Sequence, residues 1–286
     1  MAHAFGGAWT ERKLSVVRTY LEAYAQALKN QPFQRIYIDA FAGTGDRTNR
    51  RREVLPLLDL AEFDAVAKGS ARLALEVAPA FHRYVLIEQA LHRASSLVSL
   101  RSEFSASNIE IINDDANNAI AGLCKGIDWK KSRGVVFLDP YGLQVTWQTL
   151  IAIATTRALD VWILFPSGMG LNRLLTKSGE IRQEWQDTLD RSLGLKGWRD
   201  AFYAEEEEAD LFEGTRSRKV KDASPEKLEQ FYLDRLRTIF PTVMKNCVRL
   251  TNSKNQTMYL LCFASANPSS KVKALATKLA SAAAKV

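Results

Sequence analysis

Apolar residues recur along this chain in two rhythms, a helical one and a short continuous one, and the alternation between them sets out the architecture. Leu14, Val17, Leu21, Tyr24 and Leu28 repeat at helical spacing behind Thr10, a residue suited to an N-cap, with Glu11 where a carboxylate complements the helix dipole. This predicts a helix from Thr10 to about Lys29. Beyond Pro32 the rhythm shortens to Arg35-Ile36-Tyr37-Ile38-Asp39, a strand running into Phe41-Ala42-Gly43-Thr44-Gly45. The same device returns in Arg83-Tyr84-Val85-Leu86-Ile87-Glu88, in Ile109-Glu110-Ile111-Ile112 before Asp114 and Asp115, in Gly134 to Leu138 before Asp139-Pro140-Tyr141-Gly142, and in Asp160 to Phe165 before Pro166. Helical patterns fill the intervals: Gly69-Ser70 with Leu73 and Val77, closed near Pro79, then Leu91 to Phe104, a helix after Asn117, and Trp147 to Ala154.

Strands alternating with helices at this spacing predict an α/β, Rossmann-like fold with a mostly parallel sheet covered on both faces. Residues 1–167 form the predicted core, with an insertion over 46–68 that carries Arg47, Arg50, Arg51 and Arg52. From 168 to 224 the pattern weakens to a helical Leu171 to Leu175, a Trp185 to Leu193 stretch, the acidic run Glu205 to Glu208 and the basic run Arg216 to Lys221. This reads as an inserted helical lobe, with the acidic run a solvated helix face. Residues 225–286 complete the core: a helix after Ser224-Pro225, strands Val243 to Leu250 and Met258 to Ala264 around a polar hairpin loop, and an amphipathic tail helix from Lys271 to Lys285.

Composition adds two constraints. The formal net charge of +7 and pI near 9.3 favour polyanionic partners, so DNA or RNA enters as a candidate substrate. The lysines of the tail read more readily as a solvated face than as a binding strip, and Trp9 and Trp147 more readily as core than as base-stacking platforms. Cys124, Cys247 and Cys262 form no Cys-x-x-Cys pair, so no metal or redox motif is predicted. A Cys247–Cys262 disulfide is conceivable, but buried free thiols are expected. No membrane span or leader is visible, which leaves the cytoplasm as the expected compartment.

A sheet of this kind places its ligand outside the carboxyl ends of its strands. Four strand ends here carry a glycine turn or a carboxylate. In Asp39-Ala40-Phe41-Ala42-Gly43-Thr44-Gly45 the two glycines allow backbone to approach a nucleotide or amino-acid moiety, although the third glycine of the dinucleotide pattern and the lysine of a P-loop are both missing. Glu88 could accept from both hydroxyls of a ribose. Asp115, or Asp114 beside it, could accept from an adenine amino group, or equally cap the following helix. The Asp139 carboxylate and Pro140 carbonyl could hold an amino group with its lone pair toward a methyl donor, with Tyr141 stacked on a base; an ordinary Asp-Pro turn is the alternative.

Together these pieces resemble the three-Cys-motif partner proteins, a bacterial family with a methyltransferase-like core. The resemblance is carried by Trp9 with Lys13-Leu14, Tyr37 to Gly45, Gly69-Ser70-Ala71, Ile87-Glu88, Asp115-Ala116-Asn117, Phe137 to Gly142 and Asp160 with Phe165-Pro166, and it fades beyond residue 166. It implies a class I methyltransferase fold and a partner bearing a three-cysteine motif, often described as phage-related; the chain's own cysteines do not make that motif. More broadly, Asp39-x-Phe41-x-Gly43-x-Gly45 looks like the cofactor motif of nucleic-acid base methyltransferases. Asp139-Pro140-Tyr141 looks like their Asp/Asn-Pro-Pro-Tyr signature with one proline missing and Gly142 following. The implied cofactor is S-adenosylmethionine, with Asp39, Phe41, Gly43 and Gly45 at its methionine part, Glu88 at the ribose and Asp115 at the adenine. Asp139, Pro140 and Tyr141 would face the acceptor, and no metal is called for. A catalytically idle module that binds the partner protein is the rival expectation; a nicotinamide-dependent oxidoreductase is disfavoured by the missing glycine and the terminal hairpin.

Overall fold

The computed structural model describes residues 8–42, 69–210 and 214–286. Helix α1 (Ala8–Leu28) leads into strand β1 (Gln34–Asp39); the 46–68 insertion lies outside the described residues, and α2 spans 69–75. There follow β2 (Arg83–Ile87), α3 (Leu91–Glu103), β3 (Ile109–Ile112), α4 (Ala116–Gly126), β4 (Ser132–Leu138), α5 (Trp147–Thr155) and β5 (Leu159–Phe165). A π-helical turn, Ser167–Leu171, runs into Asn172–Leu174, and α6 (Gln183–Leu193) and α7 (Trp198–Phe202) precede the hairpin of β6 (Tyr203–Asp210) and β7 (Gly214–Lys221). The chain closes with α8 (Pro225–Arg237), β8 (Thr242–Val243), β9 (Val248–Thr251), β10 (Thr257–Ser265) and α9 (Ser270–Ala283).

The main sheet has eight strands in the order β3-β2-β1-β4-β5-β10-β8, with β9 also paired to β10. Strands β1 to β5 run parallel, and β10 is antiparallel to β5, β8 and β9. This is the Rossmann-like, class I methyltransferase arrangement expected from the sequence, a mostly parallel sheet ending in an antiparallel hairpin. The strand order reverses between β1 and β4, which puts the ligand-binding crevice outside their carboxyl ends.

Strand parity divides the core in two. Ile36, Ile38, Val85, Ile87, Val136, Leu138, Val161 and Ile163 face α4, α5 and the helices of the 168–237 region. Their neighbours Tyr37, Tyr84, Leu86, Val135, Phe137, Trp162 and Leu164 face α1, α2, α3 and α9. Val17, Leu21 and Tyr24 of the expected row are buried on α1, joined by Trp9, Thr10, Lys13, Val16, Tyr20 and Ala25, while Leu14 and Leu28 lie half-buried at the margins of the stripe. The helix also starts two residues before Thr10, whose hydroxyl is buried without a partner and caps nothing.

Two expectations are corrected by pairing that spacing cannot reveal. The acidic run forms β6, not a helix, and antiparallel register sets Glu205 opposite Lys219; an opposite-charge pair across the ladder suits a strand without apolar alternation. The second is the cysteines. Leu261 pairs with Val248, which brings Cys262 opposite Cys247 at a Cα separation of 4.6 Å, and the two are joined in a disulfide rather than left as free thiols. Cys124 keeps a free, half-buried thiol that burial pushes up to about 12, far from reactive thiolate. Leu171, Leu175, Ile181, Leu189, Trp198 and Phe202 share one apolar cluster with Ile36 and Val136. At the end of α6, Gly194 has φ +68°, and a Cβ there would come within 2.1 Å of Trp147.

Candidate active site

Asp39 is the last residue of β1 and is entirely buried. Its carboxylate accepts from Ser70 Oγ at 2.7 Å, from the Tyr37 hydroxyl at 3.3 Å and from the Phe41 backbone N–H at 3.3 Å. Burial pushes this carboxyl up to about 7; the Ser70 hydrogen bond opposes the shift and the charge of nearby Asp139 adds to it. Phe41 thus enters the site through its backbone, folding the chain back over the end of β1, where Ala40 N–H donates to the Phe137 carbonyl at 3.0 Å and Ala42 N–H to the Ile87 carbonyl at 2.9 Å. Gly43, Gly45 and the arginines Arg47 to Arg52 lie outside the described residues.

Asp139 follows β4 on the other side of the strand-order reversal. The register pairs Asp39 with Phe137, so the two carboxylates stand on adjacent strands and couple electrostatically. Asp139 Oδ2 accepts from Lys13 Nζ at 2.5 Å, with side-chain exposures of 7% and 0%. Its Oδ1 is buried and has no hydrogen-bond partner among the described residues. An unpaired carboxylate oxygen in a folded core is costly unless a ligand or water completes it, so this atom marks where a donor group belongs.

The loop carrying Pro140 and Tyr141 is tied down at several points. Gln144 Oε1 accepts from Tyr141 N–H at 3.0 Å, the Leu143 carbonyl from Ser192 Oγ at 2.9 Å, and the Gln144 carbonyl from Asn117 Nδ2 at 3.1 Å. Asn117 Oδ1 in turn accepts from Thr146 N–H at 3.0 Å and Thr149 Oγ1 at 2.7 Å. Gly142 takes φ +70°, a conformation that disfavours any side chain, which accounts for glycine after Tyr141. Pro140 is buried and Tyr141 half-buried.

Glu88 follows β2 and is buried; its Oε1 accepts from Ala90 N–H at 2.6 Å, and its backbone carbonyl accepts from Asn113 Nδ2 at 2.7 Å. Asp115 is the N-cap of α4, its Oδ1 accepting from the N–H groups of Asn117 and Asn118 at 2.9 and 3.3 Å. The structure therefore gathers Asp39, Phe41, Glu88, Asp139, Pro140 and Tyr141 at the carboxyl ends of β2, β1 and β4, and gives Asp115 a capping task one strand further out. Trp9 and Trp147 lie in the core: Trp9 stacks on Tyr259 at 5.0 Å, and Trp147 lies under the Arg235 guanidinium at 4.5 Å.

Sequence reasoning passed over Lys13, Ser70 and Asn117 as functional groups. For Lys13 a signal existed: it precedes Val17, Tyr20 and Tyr24 at helical spacing on a buried face, a place where a lone lysine demands a partner. Among the described residues no group of His, Cys, Asp and Glu could hold a metal ion, and no helix is long and apolar enough to cross a membrane.

Comparison with known proteins adds solved structures alone. No family model and no curated protein matches the chain. Protein LPL1258 from Legionella pneumophila is similar over 83% of this chain and 94% of its own, at 15% identity and TM-score 0.40. The N-terminal domain of EvdMO1, solved with S-adenosylhomocysteine bound, covers 88% of this chain and 80% of its own at 10% identity and TM-score 0.37. The candidate methyltransferase yhhF from Escherichia coli covers 72% of this chain and 86% of its own at 12% identity and TM-score 0.29. At these values the fold assignment rests on the strand order itself.

Proposed function

We propose that the chain is an S-adenosylmethionine-dependent methyltransferase acting on an amino group of a nucleic-acid base. The observation that carries this reading is the pair of carboxylates flanking the strand-order reversal, Asp39 fully buried at the end of β1 and Asp139, its side chain 7% exposed, following β4, with Asp139 Oδ1 lacking a partner among the described residues. The residues fit the cofactor's chemistry: a cationic sulfonium and ammonium suit a site rich in carboxylate, and Glu88 offers acceptor oxygens for a ribose at the end of the neighbouring strand. We assign Asp115 to fixing the start of α4 beside the adenine side, because its Oδ1 is taken by backbone. Gly43 and Gly45 keep the role their motif suggests.

When bound, S-adenosylmethionine supplies a methyl group already activated on a sulfonium. The chain's task is then orientation and exclusion of water, effects able to supply several orders of magnitude in rate. Asp139 Oδ1 accepts an N–H of the incoming amine and sets its direction. The Pro140 carbonyl offers a second acceptor, and Tyr141 flanks the base. The pinned loop holds these groups in place before the acceptor arrives. The net charge of +7 supports a polyanionic acceptor.

The test is transfer of tritiated methyl from S-adenosylmethionine to mixed-sequence single- and double-stranded DNA and RNA. Wild type should label at least one of the four, and Asp139→Ala should lower the rate about 100-fold or more. Cofactor binding without labelling of any nucleic acid would overturn the substrate class. Absence of cofactor binding would overturn the enzyme and favour a module that binds a three-Cys-motif partner.

A further inference from the structure

We infer that Lys13 is a positioning residue of the acceptor site, holding Asp139 so that one carboxylate oxygen is committed to the protein and the other faces the methyl acceptor. This rests on the methyltransferase reading. Lys13 is fully buried on α1, and its Nζ meets Asp139 Oδ2 at 2.5 Å. Apart from Thr10, the rest of its stripe, Trp9, Val16, Val17, Tyr20, Leu21, Tyr24 and Ala25, is apolar or aromatic, so an aliphatic side chain at this position would serve packing without burying a charge. The ammonium also sits 5.4 Å from the Trp9 ring centroid and 5.9 Å from that of Phe137, faces that favour a cation and fix its place.

Geometry makes the pair directional. With Oδ2 taken by Lys13, rotation of the carboxyl is restrained and Oδ1 is left without a partner among the described residues. Lys13 also supplies positive charge where two carboxylates on neighbouring strands repel each other. Among the described residues, Asp39 and Tyr37 of β1 couple electrostatically to Asp139, and the Trp9 and Phe137 rings lie beside the ammonium. Helix α1 therefore does more than cover the sheet: it sets the acceptor carboxylate.

A double-mutant cycle tests the assignment in the full chain, with Lys13→Met, Asp139→Asn and both, assayed by methyl transfer to the mixed-sequence nucleic acids. Lys13→Met should lower kcat about 100-fold while the KM for S-adenosylmethionine changes by less than about threefold. The double variant should be no slower than Asp139→Asn alone, because Lys13 acts through Asp139. A Lys13→Met protein at the wild-type rate, or losses that multiply, overturns the role. If Lys13→Met does not fold, the double variant still compares with Asp139→Asn, and Lys13→Arg, which keeps the charge, should retain at least about a tenth of the rate. A wild type that transfers no methyl group overturns the underlying reading and this role with it; wild-type transfer unaffected by Lys13→Met overturns the role alone.

Discussion

The two faces of the central sheet are built from different materials. Toward α4 and α5, parity places Ile36, Ile38, Val85, Ile87, Val136, Leu138, Val161 and Ile163, aliphatic side chains joined by Phe165 at the end of β5. Toward α1 the same strands present Tyr37, Tyr84, Phe137 and Trp162, together with buried Asp39 and Asp160. One face is mostly branched hydrocarbon that needs little but close packing. The other carries hydroxyls and carboxylates that must each be satisfied: Tyr20 donates to Asp160 at 2.6 Å, Ser70 to Asp39 at 2.7 Å and Lys13 to Asp139 at 2.5 Å. The difference teaches where the chemistry lies. A fold alone would be served by two aliphatic faces, and the polar one is the face that reaches the carboxyl ends of β1 and β4.

The sharpest way to break the comparison is a truncation on the aliphatic side. Ile163→Ala should cost about 2–5 kcal/mol of stability in denaturant unfolding, while the protein that remains folded binds cofactor with unchanged affinity. Lost affinity in the folded fraction would mean that the faces are not separable.

The polar face should instead show itself in pH dependence. Burial holds Asp39 up to about 7 and Asp160 up to about 6, so the native chain binds more protons than the unfolded one above the ordinary carboxylate range. Their contribution is fully present at acid pH and is lost as pH rises from about 4 toward 7. Asp39→Asn removes one share of that slope, and its stability relative to wild type should rise between pH 5 and 8 by about 1 kcal/mol or more. Parallel stability profiles for the two proteins would refute the assignment. A comparable effect is expected from Tyr20→Phe, which takes one hydrogen bond from Asp160 and leaves Ser265. It should cost about 1–3 kcal/mol at neutral pH and less in acid, where the protonated carboxyl tolerates the loss.

Much of this architecture was legible because its signals are local. Short apolar runs ending in a carboxylate announce parallel strands, and Asp39, Glu88 and Asp139 stand at strand ends as the sequence suggested. What escaped depends on pairing between distant segments. The Cys247–Cys262 link needs the β9–β10 register, and the strand character of Glu205 to Glu208 needs the basic strand opposite. Lys13 meets Asp139 only when α1 lies across the sheet, 126 residues away in sequence. Asp115 shows the limit in the other direction: both its readings fitted the sequence, and the structure shows its Oδ1 capping α4, a task that leaves its Oδ2 for the other reading.

The central claim is that the polar face ends in a cofactor site. Calorimetric titration of wild type and Asp39→Ala with S-adenosylmethionine and S-adenosylhomocysteine tests it most directly. The account predicts saturable binding of both by wild type and at least about a tenfold loss of affinity in the variant, the equivalent of one charge-assisted contact or more. A folded wild-type protein that binds neither, or an Asp39→Ala variant that binds as tightly as wild type, would contradict it.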